Sequence, residues 1–187
     1  TVLRGRLGGP PYREVFSTVS PDDEEGGHFA ALAMKDRGRK DIVAVLGPQD
    51  NPAVADRLRG YRAVLGEDLP DANVIYTGWN SGDGYQAMHQ ILAREMAFDG
   101  VLCGSDRIAA GVITALNEAG LSVPADVSVV GFDDHEIATR CVPALTTVRQ
   151  PLREEGHMAA NIALGMIKGA EPTTSVMHMQ LIQRDSL

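Results

Sequence analysis

One run of five apolar residues, Ile42–Leu46, is followed directly by Gly47 and Pro48. A strand without polar residues is typical of a parallel sheet that is covered on both faces. Parallel strands are joined by long connections, which are usually helices. This run therefore predicts a parallel sheet with helices packed on both sides.

Other short apolar runs alternate with helical patterns along the chain. Asn51 is a capping residue before Pro52, and Gly66 ends the helix that they predict. A later helix is predicted to be capped by Ser105 or Asp106. The remaining predictions are strands at about residues 14–19, 73–76, 100–103, 127–130, 145–148 and 176–182, helices at about 22–37, 83–96 and 151–168, and a Gly- and Pro-rich loop at 1–13. This alternation predicts a doubly wound, mainly parallel α/β sheet.

The composition excludes several kinds of protein. The net charge of -8, with scattered Lys and Arg, argues against nucleic-acid binding by this stretch itself. No apolar run approaches the roughly 20 residues that a membrane helix needs, so no membrane contact is expected. The two cysteines have no CxxC spacing, which favours reduced thiols in the cytoplasm. The start lacks the apolar core of a signal peptide, and because it is Thr1 we expect a fragment of a longer protein.

Polar residues follow the predicted strands at the points where these end. They are Arg57, Trp79, Ser105 and the pair Asp133 and Asp134, which comes after a glycine turn. The carboxyl ends of parallel strands meet at one edge of a sheet, where open α/β folds bind their ligands. The sequence therefore predicts a binding site at this edge. Asp134 is expected to cap a helix, as is Asp106.

No machinery for catalysis is recognisable. The sequence has no nucleophile elbow, no phosphate loop and no GxGxxG motif. The five histidines lack metal-ligand spacing. We therefore expect no catalytic residue, no metal and no cofactor, and hence a protein that is not an enzyme.

Several motifs occur together in a family-specific order. They are DDEEGG, GRKDIVAVLGP, ADRLRGYRAVL, TGWNSGDGY, GSDRIAAGVITALNEAGLSVPADVSVVGFDD and PALTTVRQP. Together they resemble the effector-binding core of LacI/GalR-type bacterial transcription regulators over about residues 14–187. The resemblance implies a two-lobed, periplasmic-binding-protein-like fold of type I. It also implies closure on a small effector, usually a sugar or a nucleobase, and a homodimer.

The resemblance also implies a division of the chain. About residues 18–145 and 175–187 correspond to the C-terminal lobe, and about residues 1–17 and 146–170 to crossover and N-terminal-lobe segments. Residues 146–151 are expected to act as a hinge between the lobes. In full-length members a helix-turn-helix, a hinge and most of the first lobe come before this part. Operator DNA would therefore be bound only through an N-terminal domain missing here.

The same resemblance assigns five ligand-binding residues. Arg57, from the R-x-x-G pattern ending at Gly60, becomes a cationic clamp, Trp79 an aromatic surface, and Asp133 an acceptor from ligand hydroxyls. Ser105 stands where many members carry Asn, and Gln150 lies on the crossover. Other interpretations of the residues themselves are an exposed helix arginine for Arg57, a core residue for Trp79 and a helix cap for Asp133.

The resulting hypothesis is the effector-binding and dimerisation core of a cytoplasmic LacI-type regulator. Its effector is expected to be a sugar or sugar-like molecule, and closure of the lobes would control DNA binding by the missing domain. Helices at 106–119 and 83–96 are the expected dimer contacts. The alternative is a periplasmic sugar-binding protein of a transport system, which shares the fold.

Overall fold

The computed structural model describes residues 2–4, 16–94 and 96–187. The chain forms two compact units. The larger unit contains Asp23–Arg149 and Gln180–Leu187, and the smaller unit contains Gln150–Met179 and the described residues up to Asp22. These divisions fall a few residues later in the chain than the boundaries implied by the family resemblance.

The described helices and strands follow one another in the order expected of an α/β protein. They are β1 (Val2–Arg4), β2 (Ser17–Pro21), α1 (Asp23–Asp36), β3 (Ile42–Leu46), α2 (Pro52–Leu65), β4 (Val74–Tyr76), α3 (Ser81–Leu92), β5 (Gly100–Cys103), α4 (Asp106–Glu118), β6 (Ser128–Asp133), α5 (Ile137–Arg140), β7 (Thr146–Arg149), α6 (Leu152–Ile167), β8 (Thr174–Met177) and β9 (Gln180–Ile182). None of these helices has both the length and the hydropathy needed to span a bilayer.

The larger unit is built on a six-stranded sheet with the order β4-β3-β5-β6-β7-β9. All its pairs are parallel except that between β7 and β9. The chain moves outward from β3 to β4 and then returns past β3 to β5, so the strand order reverses there. Such a reversal opens a crevice at the carboxyl ends of the strands. The predicted doubly wound, mainly parallel sheet is confirmed.

Helices cover both faces of this sheet, as the apolar strand β3 predicted. Val43 and Val45 belong to a buried core with residues of α3 and α4. The intervening residues Ile42, Ala44 and Leu46 are also fully buried. Since alternate residues of a strand point to opposite faces, they face the other layer, where α1 and α2 pack together and α1 contacts β5, β6, β7 and β9.

Glycines allow the helices of each layer to approach closely. A Cβ at Gly60 in α2 would lie 2.1 Å from the carbonyl oxygen of Glu24 in α1. A Cβ at Gly111 in α4 would lie 1.9 Å from the carbonyl oxygen of Ser81 in α3. Backbone lies opposite backbone at both points, so neither contact can be relieved by moving a side chain.

The smaller unit has a three-stranded parallel sheet with the order β1-β2-β8, and α6 packs against β1 and β2. The prediction of a loop throughout residues 1–13 is wrong at Val2–Arg4, because this segment pairs with β2 in the register Val2↔Ser17. The glycines and prolines that suggested a loop begin at Gly5 and lie outside the described residues. Residues 14 and 15 of the predicted first strand also lie outside them. Leu152 and Ile167 of α6 are 56% and 83% exposed.

Two other local predictions need correction. The single strand predicted at 176–182 is in fact β8 and β9, which belong to different sheets because the chain passes between the units after Met179. Helix α3 begins before Asp83, because Asn80 accepts a hydrogen bond from the Asp83 N–H and Asp83 accepts one from the Asn80 N–H. The Asn51 cap of α2, by contrast, is confirmed.

We expect Gly111→Ala to destabilise the larger unit by about 1–3 kcal/mol or more, because the new methyl group would overlap the Ser81 backbone. Urea unfolding followed by circular dichroism would measure this. The matched control is Gly156→Ala in α6, where no atom lies within 4 Å of the added methyl group. That change should be neutral or stabilise by up to about 1 kcal/mol. Equal midpoints for the two variants would contradict the packing explanation.

Candidate functional site

Four of the five predicted ligand residues lie at the carboxyl ends of strands in the large sheet or in the segments that follow them. Arg57 lies on α2 after β3, and Trp79 lies between β4 and α3. Ser105 separates β5 from α4, and Asp133 ends β6. We call these four residues the carboxyl-edge site. Gln150 belongs to the smaller unit.

Arg57 is buried and bonded to its own protein. It is only 4% exposed, which rules out the interpretation as an exposed helix arginine. Its Nε donates to Asp23 Oδ1 at 2.8 Å, its Nη1 donates to the carbonyl oxygen of Gly104, and its Nη2 lies 3.8 Å from Asp133 Oδ1. The guanidinium carbon lies 3.7 Å from the centre of the Phe132 ring. Since a guanidinium has five N–H donors, at most three remain for a ligand.

Asp133 combines an unusual backbone with a partly exposed carboxylate. Its φ is 107° and that of Asp134 is 54°, and two such residues in succession cost on the order of 1–3 kcal/mol each. The side chain of Asp133 is 35% exposed. The residue that precedes α5 is Glu136, which makes no side-chain cap, so Asp133 is not a helix cap. Asp133 thus presents its carboxylate at the edge of the sheet beside a buried cation.

The prediction that Asp134 caps a helix is wrong. Its carboxylate accepts hydrogen bonds from Arg149 and Arg184, at 2.6 and 2.5 Å. Burial alone would raise the pKa of Asp134, but the two arginines outweigh this effect and lower it. Arginine partners within the fold therefore replace the helix N–H groups that the local sequence suggested.

Trp79 has both a packing role and an exposed part. Its ring packs against the core formed by α3 and α4. A Cβ at Gly47 would lie 2.4 Å from the ring, so the end of β3 needs glycine to accept it. The side chain is nevertheless only partly buried. The interpretation as a core residue and the interpretation as a ligand surface are therefore both compatible with this position.

Of the two residues predicted as a possible cap of α4, Ser105 is the cap and Asp106 is not. Ser105 caps α4, because its Oγ accepts from the Ile108 N–H at 3.2 Å, and its hydroxyl hydrogen can still be donated. Asp106 is the first residue of the helix and is fully buried. It accepts from the Thr147 hydroxyl and the His135 N–H, so the expectation that it is a cap is wrong.

Burial raises the pKa of Asp106 to about 7. The hydrogen bonds from Thr147 and His135 oppose this shift, and the nearby negative charges of Asp133 and Asp134 add to it. Asp106, next to Ser105 of the carboxyl-edge site, thus holds its proton up to about neutral pH.

The sequence reasoning missed the partners that organise this edge. They are Asp23, Arg149 and Arg184, to which the sequence pattern assigns no role in the site. Arg149 lies opposite Asp133 in the parallel register of β6 and β7, which the folded sheet reveals. No local signal exists for Arg184, which lies 50 residues from Asp134 in the chain. Within the described ranges, no three His, Cys, Asp or Glu side chains are grouped as a metal site requires.

Comparison with known proteins identifies the family. Residues 16–187 match the periplasmic binding protein-like domain. The HTH-type transcriptional repressor PurR of Escherichia fergusonii is 38% identical over 168 residues, which cover 87% of this chain and 49% of that protein. The chain belongs to the periplasmic-binding-protein-like domain family, as an effector-binding domain of the LacI type. It spans about half the length of the curated relatives it matches.

Two solved structures extend the comparison. A transcriptional regulator CelR–cellobiose complex matches with a TM-score of 0.92 and 34% identity, covering 100% of this chain and 58% of that one. A LacI family transcriptional regulator from Enterococcus faecalis with bound ribose has a TM-score of 0.88 and 28% identity, covering 99% and 67%. The family assignment from the sequence motifs is therefore confirmed. Because these relatives are transcriptional regulators, they favour a regulator over an enzyme.

We expect the stability of the protein to fall as pH rises from about 4 to above 7, in part because of Asp106. In the folded state Asp106 keeps its proton up to about pH 7, whereas the ordinary pKa of an aspartic acid is 3.8. A raised folded-state pKa contributes stability at low pH, and this contribution is lost as pH rises through 7.

Urea unfolding of Asp106→Asn at pH 5 and pH 8 tests this expectation. Asparagine can donate to the Thr147 hydroxyl and accept from the His135 N–H, so the variant should gain stability relative to the wild type as pH rises. Asp68→Asn, at an exposed acid, is the control and should follow the wild type. A constant difference between wild type and Asp106→Asn would contradict the assignment.

Proposed function

We propose that this chain is the effector-binding part of a LacI-type transcription regulator and that its effector is a sugar. The observation that carries this proposal is the Asp133 carboxylate, held at the sheet edge beside Arg57 with a third of its side-chain surface exposed. A fixed, ionised acceptor suits the hydroxyl groups of a sugar, since hydrogen bonds to charged groups are the stronger ones. The ribose and cellobiose in the two similar structures support the same ligand class.

The other site residues would contact the sugar in different ways. The partly buried ring of Trp79 offers a flat apolar surface to a sugar face. Ser105 can donate its hydroxyl hydrogen, and Gln150 is the fifth ligand residue that the family resemblance assigns. Arg57 acts mainly on Asp133, with at most three N–H groups left for the ligand.

Regulation would follow from closure of the two lobes around the effector. A bound ligand shifts such an equilibrium only by its difference in affinity for the two states, and a change from 1:99 to 99:1 takes about 5.5 kcal/mol. Operator DNA would be bound by an N-terminal domain outside this chain. The repressor function of the curated relatives supports this arrangement.

A periplasmic sugar-binding protein of a transport system remains the second candidate, because the domain family is shared. The two functions differ in what precedes Thr1 in the gene. A helix-turn-helix supports the cytoplasmic regulator, whereas a signal peptide overturns it. An enzyme would have to form product from a bound sugar in a turnover assay.

We expect Asp133→Ala to weaken sugar binding at least about tenfold, because a charge-assisted hydrogen bond contributes about 1.5–3 kcal/mol. Trp79 is the only tryptophan of the sequence, so its fluorescence reports binding directly in this part of the protein. The full-length protein would be titrated with pentoses, hexoses, sugar phosphates and nucleobases. Asp68→Ala is the matched control. The sugar site is rejected if no sugar binds the wild type, or if Asp133→Ala binds as tightly.

A homodimer is the second part of the proposal, and α4 and α5 offer a surface for it. A cavity of about 310 Å³ lies there, lined by Ala110, Ile113, Thr114, Asn117, Ile137, Arg140, Cys141 and Val142. Val142 is 80% exposed. We propose this surface for contact with a second copy because the family resemblance predicts a dimer contact through this part of the larger unit. This surface includes the predicted contact helix α4.

We expect Val142→Glu to shift the full-length protein from dimer to monomer, since a charge would be buried against apolar groups. Analytical ultracentrifugation over a range of concentrations measures the shift. Leu32→Glu, at an exposed apolar residue of α1, should leave the dimer intact. Dissociation by the control alone would place the interface elsewhere.

A further inference from the structure

Asp134 connects three separate segments of the larger unit. It follows β6 directly, and its side chain is 11% exposed. Oδ2 accepts from Arg149 Nε at 2.6 Å, and Oδ1 accepts from Arg184 Nη2 at 2.5 Å. Each carboxylate oxygen therefore bonds a different segment of the chain, Oδ2 the strand β7 and Oδ1 the segment after β9.

Both arginines lie where the chain passes between the two units. Arg149 ends β7, and the next residue, Gln150, belongs to the smaller unit. The chain returns to the larger unit at Gln180, forms β9 and reaches Arg184 shortly afterwards. Asp134 thus holds the outgoing and the returning segment at the same point.

The returning segment is bonded at more than this one point. The backbone N–H of Arg184 donates a hydrogen bond to Thr146 Oγ1 at 2.8 Å. Its Nη1 donates to the carbonyl oxygen of Leu145, also at 2.8 Å. Arg184 is therefore oriented by the start of β7, and it can act as a fixed support for the Asp134 carboxylate.

The proposed ligand residue Asp133 is next to this support. Asp133 and Asp134 form a turn with two positive φ angles, which residues other than glycine adopt rarely. Such a conformation persists only where the surroundings hold it. Here the surroundings include the two arginines bound to Asp134, so they bear on the direction of the Asp133 carboxylate.

We propose that Asp134 is a positioning residue, which through Arg149 and Arg184 fixes the Asp133 carboxylate for the ligand and ties it to both segments that connect the units. This inference rests on the proposed function, because Asp133 is the group that would contact the sugar. Asp134 itself makes no contact with the ligand.

Two substitutions separate the arginine bonds from the turn conformation. Asp134→Asn keeps the size and a tolerance for positive φ but removes the charge, and Asp134→Gly accepts positive φ with no side chain at all. If the turn conformation alone mattered, both variants would behave as the wild type. Asp185→Asn, at an exposed acid next to Arg184, is the control.

The ligand experiment uses ribose and cellobiose with the full-length protein. We expect both Asp134 variants to bind the sugar that the wild type binds at least fivefold more weakly, and the control to bind normally. In the Asp133→Ala background, Asp134→Asn should cause no further loss, because it acts through Asp133. Unchanged affinity in both Asp134 variants, or a full additional loss in the double variant, overturns the proposal.

Hydrogen–deuterium exchange without any ligand tests the same inference independently of the sugar. In Asp134→Asn the exchange should accelerate in three segments together, residues 131–136, 146–149 and 180–184. If no sugar of the titrated panel binds the wild type, the proposed sugar function fails, and this measurement still decides on Asp134. Exchange that stays at wild-type rates in the last two segments contradicts the positioning role.

Discussion

The buried guanidinium of Arg57 is the interaction on which the carboxyl edge depends. A buried charge is tolerated only when it is paired and hydrogen-bonded. Arg57 obtains its partners from α1 through Asp23, from the end of β5 through the Gly104 carbonyl and from the end of β6 through Asp133, and it lies over the Phe132 ring. One side chain of α2 therefore holds together the elements that form the site. These bonds of Arg57 build the edge at which the candidate site lies.

The fold of the larger unit could be predicted because its local signals agree with its burial. The apolar run Ile42–Leu46 is fully buried between two helical layers, and Asn51 caps the helix that follows. The predictions fail where the sequence pattern does not show which strand a segment pairs with. Val2–Arg4 is a strand because β2 pairs with it, and β8 and β9 show similar patterns although they join different sheets.

The positions of the site could be predicted, whereas its bonds could not. The ends of parallel strands show where Trp79, Ser105 and Asp133 lie, and the family resemblance names Arg57. Asp23 and Arg57, however, are 34 residues apart, so no local pattern joins them. At Asp106 and Asp134 the capping rule failed for one physical reason. Each of these carboxylates binds hydroxyl or guanidinium donors from other segments of the fold and does not cap a helix.

Three carboxyl groups at the end of β6 and the start of α4 divide their functions by their surroundings. Burial keeps Asp106 protonated up to about pH 7, and two arginines keep Asp134 ionised but bonded on both oxygens. The side chain of Asp133 is 35% exposed and lies 3.8 Å from Arg57 Nη2. The surroundings of each carboxyl group, and not its place in the sequence, therefore decide whether it keeps a proton and which donors it binds.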